Sequence, residues 1–472
     1  MKIKLLFLCF CITSAYYATA QQLTLKKGVL INTIKVVDSV PESFSLYLPT
    51  SFDASKTWPI LFVFDVEGKG RQAMGMFRQS AEELGYILAA SNDVHDSLPI
   101  SQNILISNRM FNKIFSMLPV HKSRVYTAGF SNGARLASTI PLFIKEIEGV
   151  ISCGADIRTV ELLNRRNTFH FIGIIGREDY NYKEMITFRK TLNKIKFPNH
   201  LLKFDGGHQW PNIESIQTAM EILTLASMSK GNVEKDNSFI DRNFEENINK
   251  INTLVNSNKL LDANELIEET IAVYRDFKPI DSLKEKKKLL KKNKWYRTLK
   301  RNEDTALFKE SFIKENFSYS LEEDVLAYNY NNLGWWSYQI EELKKHIESE
   351  DKAQQQMGKR LLAYINALAE DTIDILEAEE KVEEEGVRFL WMLKTITDPN
   401  DYTYYLKIIS DSARVEDYGT ALFYLEEALK NGYKNKGKLY TLAHTALLRI
   451  TPEFNVIVAK YLKEARYDII EE

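Results

Sequence analysis

The sequence predicts an α/β fold, a mostly parallel sheet with helices on both faces, followed by an all-helical, repeat-like domain. Three observations carry this. From about residue 21 to residue 230, short apolar runs alternate with helix-length segments, which implies parallel pairing with helices on both faces of the sheet. Within that stretch the run Ser123 to Ala128 leads straight into Gly129-Phe130-Ser131-Asn132-Gly133, a turn joining a strand to a helix. After Ser227 strand signals nearly vanish, and Leu, Ala, Glu, Lys and aromatic residues recur at helical spacing.

In chain order, the strands are expected at Phe44 to Leu48, Ile60 to Phe64, Tyr86 to Ala90, Val125 to Ala128, Gly149 to Cys153, Phe169 to Ile175 and Leu201 to Phe204. The first of them, joined through Pro49 and a polar stretch ending at Trp58-Pro59, suit an antiparallel edge. Gln72 to Leu84 and Lys183 to Ile195 have helical length. Ala134 to Ile144 is a helix whose Leu136, Ile140 and Ile144 face the sheet, and Pro141 kinks or shortens it. The polar stretch Ser229 to Ser238 reads as a linker. Beyond it, Asp262 to Phe277 is an amphipathic helix, and Leu321 to Ile340 is another, carrying Tyr328, Tyr330, Trp335, Trp336 and Tyr338. Asp401 to Ser410 and Tyr418 to Asn431 form a helical hairpin. The last helix has Thr451 as N-cap and Pro452 at its first position.

A length of 472 residues exceeds one typical domain, and 44% apolar with 27% charged residues is an ordinary globular balance. The formal net charge of -2 gives no reason to expect nucleic acid or an acidic membrane as partner. Lys2 and Lys4, the apolar run Leu5 to Ile12 and Ala18-Thr19-Ala20 read as a secretory signal peptide, too short to span a bilayer. The expected division is therefore residues 1–20 signal peptide, 21–229 α/β domain, 230–238 linker and 239–472 helical domain, in a periplasmic or secreted protein. Cys9 and Cys11 leave with the peptide, so Cys153 stands alone in an apolar strand and reads as a small buried hydrophobe. By its layers, the segment from Gln21 to Lys230 is expected to fold alone. The aromatic cluster beyond it supplies either the helical domain's own core or a surface that docks.

Gly129-Phe130-Ser131-Asn132-Gly133 has the form of a nucleophile elbow, in which a serine is held in a strained conformation where strand and helix nearly touch. The run Gly206-Gly207-His208-Gln209-Trp210-Pro211 follows the last strand, and its glycines are expected to free the backbone to bring the imidazole of His208 over the serine. The acid belongs between them: Asp179, just past the strand ending at Gly176, is the first choice, with Asp156 as fallback and Glu178 and Asp205 behind.

These motifs, from about Phe44 to Pro211, resemble the alpha/beta-hydrolase superfamily, and within it the polyhydroxybutyrate-depolymerase and feruloyl-esterase type of extracellular esterase. The resemblance implies Ser131 as nucleophile, His208 as general base and then acid, and Asp179 as the group that orients the imidazole. The amide of Asn132 is one oxyanion donor. Where the family usually has His-Gly, this chain has Asp65-Val66-Glu67-Gly68-Lys69-Gly70, so the second donor is sought at Val66 or Glu67, with the Glu67 carboxylate turned away. Trp210 and Phe130 are assigned to substrate binding. The small residues Ala421 and Ala428 around Leu425, and Tyr330-Asn331-Asn332-Leu333-Gly334, are similar to parts of a tetratricopeptide repeat, although no register repeats three times.

The reading is an exported serine hydrolase of carboxylic esters. Its rivals are a binding or scaffold protein with a degenerate hydrolase domain and a peptidase of the same fold. No cofactor, metal site, phosphate loop or membrane span is indicated. The helical domain either shapes access or binds a protein partner. The basic run Lys284 to Arg301 reads as a solvated helix face, with the acidic run Glu377 to Glu385 as its possible counterpart.

Overall fold

The computed structural model describes residues 25–37, 39–163, 168–463 and 465–466, so the expected signal peptide lies outside the described residues. The first part of the chain forms β1 (Leu30–Lys35), β2 (Ser43–Tyr47), β3 (Trp58–Phe64), α1 (Gly70–Leu84), β4 (Ile87–Ser91), α2 (Ile100–Met117), β5 (Val120–Phe130), α3 (Asn132–Phe143), β6 (Gly149–Cys153), β7 (His170–Gly176), α4 (Tyr182–Lys194), β8 (Asn199–Phe204) and α5 (Ile213–Ser229). The strands make one mostly parallel sheet in the order β1-β2-β4-β3-β5-β6-β7-β8. β3 runs parallel to both β4 and β5, with Leu61 level with Leu88 on one side and Tyr126 on the other. Every residue of β4 and β6 is buried, as is all of β3 except Trp58, which is why these strands read as unbroken apolar runs.

The antiparallel edge is β1 against β2, and β2 lies antiparallel to β4. β1 is not among the expected strands because it is an edge strand with only one buried residue, Ile34. α3 runs through Pro141 and ends two residues later, at Phe143.

The helical part consists of α6 (Asn237–Asn256), α7 (Leu260–Tyr274), α8 (Asp281–Lys292), α9 (Lys294–Leu326), α10 (Leu333–Ile347), α11 (Lys352–Glu377), α12 (Glu384–Thr397), α13 (Tyr402–Arg414), α14 (Tyr418–Lys430), α15 (Lys436–Leu439) and α16 (Pro452–Leu462). The single helix expected from Leu321 to Ile340 is broken. The buried Asp324 carboxylate accepts from the side chains of Asn329, Asn332 and Trp336, at 3.0, 2.6 and 2.8 Å, and Tyr328 takes φ 50°. A side chain that bonds its own following turn competes with helix continuation. Trp336 is fully buried and Trp335 packs against the same core, whereas Tyr338 is 59% exposed. Ala421, Leu425 and Ala428 are completely buried in a separate core built from α13 to α16. Thr451 caps α16 by accepting from the amide of Phe454.

The basic and acidic runs do not pair with each other among the described residues. Lys287 and Lys291 meet Glu268, and Lys300 meets Glu303 and Asp304. Glu377, Glu384 and Glu385 meet Lys407, Arg414 and Arg388. No helix among the described residues is long and apolar enough to cross a membrane.

The chain divides into two compact units. One comprises Met1–Ser152, Ile157–Phe171 and Ile216–Ser227; the other comprises Cys153–Asp156, Ile172–Ser215 and Met228–Glu472. The first is organised around β1 to β5, with Phe44, Phe62, Phe64, Phe77 and Phe111 fully buried. The second contains most of β7, then α4 and β8, together with the helices from α6 onward. The polar stretch expected as a linker joins α5 to α6 and falls next to one of these divisions.

Candidate active site

In the first unit, Ser131 sits at the junction of β5 and α3 with φ 52° and ψ -122°. A residue with a Cβ pays for such a conformation, commonly of order 1–3 kcal/mol, and keeps it only where the surroundings enforce it. The enforcement is visible at the flanking glycines. A Cβ on Gly129 would lie 2.3 Å from the Gly133 carbonyl oxygen, and one on Gly133 would lie 2.3 Å from that of Phe64. Strand and helix therefore touch through backbone alone, and the seryl residue is forced up out of the turn, the local geometry that the sequence pattern demands.

The end of β3 thus abuts the elbow, and the loop that follows it is held in a definite shape. Asp65 Oδ1 accepts from the amides of Glu67 and Lys69, at 3.0 and 3.1 Å. The Glu67 side chain turns into solvent, where its Oε2 receives Lys69 Nζ at 2.6 Å. Val66 is buried, and its carbonyl accepts from the amide of Asp96 at 3.0 Å. Of the two residues considered for the second oxyanion donor, Glu67 has its amide donated to Asp65 Oδ1. Asn132 is the first residue of α3 and is exposed, so its amide belongs to the helix N-terminus.

In the second unit, Asp179 and His208 stand on adjacent loops. The amide of Arg177 donates to the Phe204 carbonyl and that of Glu178 to the Gly206 carbonyl, both at 2.9 Å, so the loop after β7 is tied to the loop after β8. The approach is close: a Cβ on Gly176 would fall 2.3 Å from the Gly206 carbonyl oxygen. Asp179 is 1% exposed at its side chain, and its Oδ2 lies 2.9 Å from His208 Nδ1. Its Oδ1 accepts from the amide of Asn181 at 2.8 Å, and Asn181 Nδ2 donates to the Gly154 carbonyl at 2.9 Å. Both carboxylate oxygens are thereby fixed, and with Nδ1 engaged by the carboxylate, Nε2 is the ring nitrogen on the opposite side.

Gly206 and Gly207 act differently from expectation. Neither adopts the left-handed region; the space constraint lies at Gly206, where a Cβ would meet the Phe204 ring at 2.6 Å. Phe130 ends β5 beside Ser131 and Trp210 lies two residues after His208, both half-buried. Asp156 is half-buried in the loop after β6, and Glu178 Oε1 receives Lys359 Nζ at 2.8 Å. Asp205 is 77% exposed beside Arg177 and Lys352. Cys153 is buried, and burial raises its thiol far above the ordinary range.

Sequence reasoning missed Tyr180, whose ring lies 4.4 Å from the His208 imidazole, centroid to centroid, tilted by 35°. It also missed the dense charge network around these loops. Glu265 Oε1 accepts from Lys203 Nζ at 2.5 Å and its Oε2 from Arg177 Nη2 at 2.8 Å, while Arg177 also reaches Asp262 at 2.6 Å. Burial raises the Glu265 carboxyl, but the ammonium of Lys203 and the guanidinium of Arg177 outweigh it and bring the group to about 2. Glu269, likewise on α7, meets both Arg189 and His200.

The strand order, with β2 second from one edge and antiparallel to both its neighbours and a strand-elbow-helix unit at β5 and α3, is that of the alpha/beta-hydrolase fold. No family model matches the chain, and no curated protein matches its sequence. Among solved structures, the chain is similar to Est1E from Butyrivibrio proteoclasticus, with 12% identity over 42% of this chain and 98% of that one and a TM-score of 0.34. It is also similar to FphF, a fluorophosphonate-binding serine hydrolase of Staphylococcus aureus, with 14% identity over 42% of this chain and 99% of that one and a TM-score of 0.36. A third likeness is to a mutant of the feruloyl esterase module from Clostridium thermocellum, complexed with sinapinate, with 11% identity over 41% and 86% of the two chains and a TM-score of 0.35.

Proposed function

We propose that this chain, an alpha/beta-hydrolase by fold, is an exported serine hydrolase that cleaves carboxylic esters through Ser131, His208 and Asp179. The observation that carries the reading is the backbone of Ser131: a non-glycine residue at φ 52°, locked between two glycines in backbone contact, has its strain explained by nucleophilic attack. The His208–Asp179 pair supports it independently, since a carboxylate fixed through both oxygens is what keeps an imidazole in one tautomer. Export rests on the pattern of residues 1–20.

In the reaction, Ser131 Oγ attacks the ester carbonyl carbon while His208 Nε2 takes the hydroxyl proton. The tetrahedral oxyanion is received by the amides of Asn132 and Val66. Collapse breaks the bond to the alcohol, which leaves with the proton from His208. A water then attacks the acyl-enzyme, again giving its proton to His208, and the acid departs as Ser131 is restored. Each oxyanion donor typically contributes about 100-fold to 1000-fold in turnover.

A fluorophosphonate probe on the full chain tests this. Stoichiometric labelling that disappears in Ser131→Ala, alongside hydrolysis of p-nitrophenyl acetate, supports the reading. A wild-type chain that neither labels nor turns over the ester would instead favour a scaffold built on a hydrolase fold.

A further inference from the structure

We propose that Arg360 and Lys314, which belong to the helical half of the chain, are positioning residues that hold the loop carrying Asp179 against His208. The proposal rests on the hydrolase reading for its meaning in catalysis, though its geometry stands by itself.

The loop from Gly176 to Tyr182 has Asp179 at its centre, and its backbone is gripped on either side of that residue. On one side, the carbonyl of Arg177 accepts from Arg360 Nη1 at 2.8 Å. On the other, the carbonyl of Tyr180 accepts from Lys314 Nζ. Both carbonyls thus accept from cationic side chains that helices supply, and bonds from charged donors are the stronger kind. Tyr180 then stacks on the imidazole, so the Lys314 contact reaches His208 through one ring.

Neither cation is free to wander. Arg360 is 2% exposed, and its Nε and Nη2 both donate to Glu310 Oε2, at 2.9 and 2.7 Å. Lys314 lies one turn along α9 from Glu310, 3.6 Å from its Oε1, and donates to Glu184 Oε1 at 3.1 Å. The Arg360 guanidinium also lies over the Tyr182 ring, 5.0 Å from its centroid. The completely buried Glu310 carboxylate therefore orients Arg360 and stands within ion-pair distance of Lys314, and both cations grip the acid loop. Burying such a group gains little or no stability over apolar residues of the same volume, so its use here is directional.

A shift of about 1 Å in a catalytic group costs on the order of 100-fold in rate. The informative variant is Arg360→Met with Glu310→Met, which removes both charges together and keeps volume, while Lys314 retains Glu184 as its partner. Lys314→Met, which leaves the Arg360–Glu310 pair whole, is the second. Two readouts apply to the full chain. One is steady-state ester hydrolysis, where kcat should fall about 10-fold to 100-fold in either variant with KM little changed. The other is the downfield proton resonance of the His208 Nδ1 to Asp179 hydrogen bond, which should broaden or vanish while the unfolding midpoint holds. Arg360→Lys, which keeps a cation beside Glu310, should restore part of both. Variants that keep the wild-type resonance and kcat would overturn the proposal. Because the resonance needs no turnover, an inactive wild type that loses it on substitution would defeat the esterase reading while leaving the positioning role intact.

Discussion

Replacing Glu265 with Gln isolates the charge network beside the acid–histidine loops. The carboxylate meets Lys203 at 2.5 Å and Arg177 at 2.8 Å, and its ionisation lies near 2 against about 4.5 for an unperturbed glutamate. That difference corresponds to roughly 3–4 kcal/mol at about 1.4 kcal/mol per pKa unit. The figure agrees with the roughly 3–5 kcal/mol lost when a buried pair loses one partner, lowered by the partial solvent access of the side chain. The folded pKa is depressed, so between about 4.5 and 2 the unfolded chain binds more protons than the folded one. Stability from this group is therefore complete above about pH 4.5 and is lost as pH falls through about 2. Urea unfolding from pH 7 down to pH 3 should show Glu265→Gln less stable at neutrality, with the gap to wild type narrowing steadily below about pH 4.5. Two curves that stay parallel throughout, or coincide at pH 7, would show that Lys203 and Arg177 do not depend on this carboxylate.

Ser131→Ala should lower ester turnover by on the order of a million-fold with an unchanged unfolding midpoint, measured against p-nitrophenyl acetate. Asp179→Asn should cost about 10,000-fold, and Asp156→Asn far less; the reverse order in kcat would move the acid to Asp156. Gly133→Ala should destabilise the fold by at least about 1–3 kcal/mol, because its Cβ would meet the Phe64 carbonyl, which cannot move aside; thermal unfolding checks this. A chain ended at Ser229 loses Asp262, Glu265 and Glu269, the carboxylates that meet Arg177, Lys203, Arg189 and His200, and is expected to aggregate. A soluble, fully active truncated protein in size-exclusion chromatography and ester assay would refute that.

Local chemistry was legible wherever a few adjacent residues determine it. β3, β4 and β6 show in the sequence because two covered faces demand apolar residues throughout, and the elbow shows because backbone contact admits only glycine at residues 129 and 133. β1 escaped because an edge strand has one weakly buried face, and nothing in Leu30 to Lys35 separates it from a loop. Tyr328 escaped for another reason: helical periodicity runs through it, and only the three bonds gathered by Asp324 stop the helix there. Asp179 could be chosen from its place after a strand, but the direction of its carboxylate depends on Asn181 reaching back to Gly154.

What the sequence could not reveal is that the helical half holds the acid loop, and the reason lies in chain separation. Arg360 and Lys314 read as ordinary helix-surface cations, and Glu310 as an ordinary partner one turn from a lysine. Their contacts to Arg177 and Tyr180 span 183 and 134 residues, distances over which composition and periodicity carry no information. Ionic groups that bond backbone carbonyls also leave no apolar signature, so the interlock is invisible to any reading based on hydrophobic faces. Such contacts are strongly directional, because a guanidinium pinned by a buried carboxylate has one useful orientation. An apolar interface would have joined the same helices to the same loops with comparable stability, but it would have allowed sliding. The retained charges fit a requirement for placement at Asp179 more than a requirement for adhesion. Helices α7, α9 and α11 thus belong functionally to the loop that they grip.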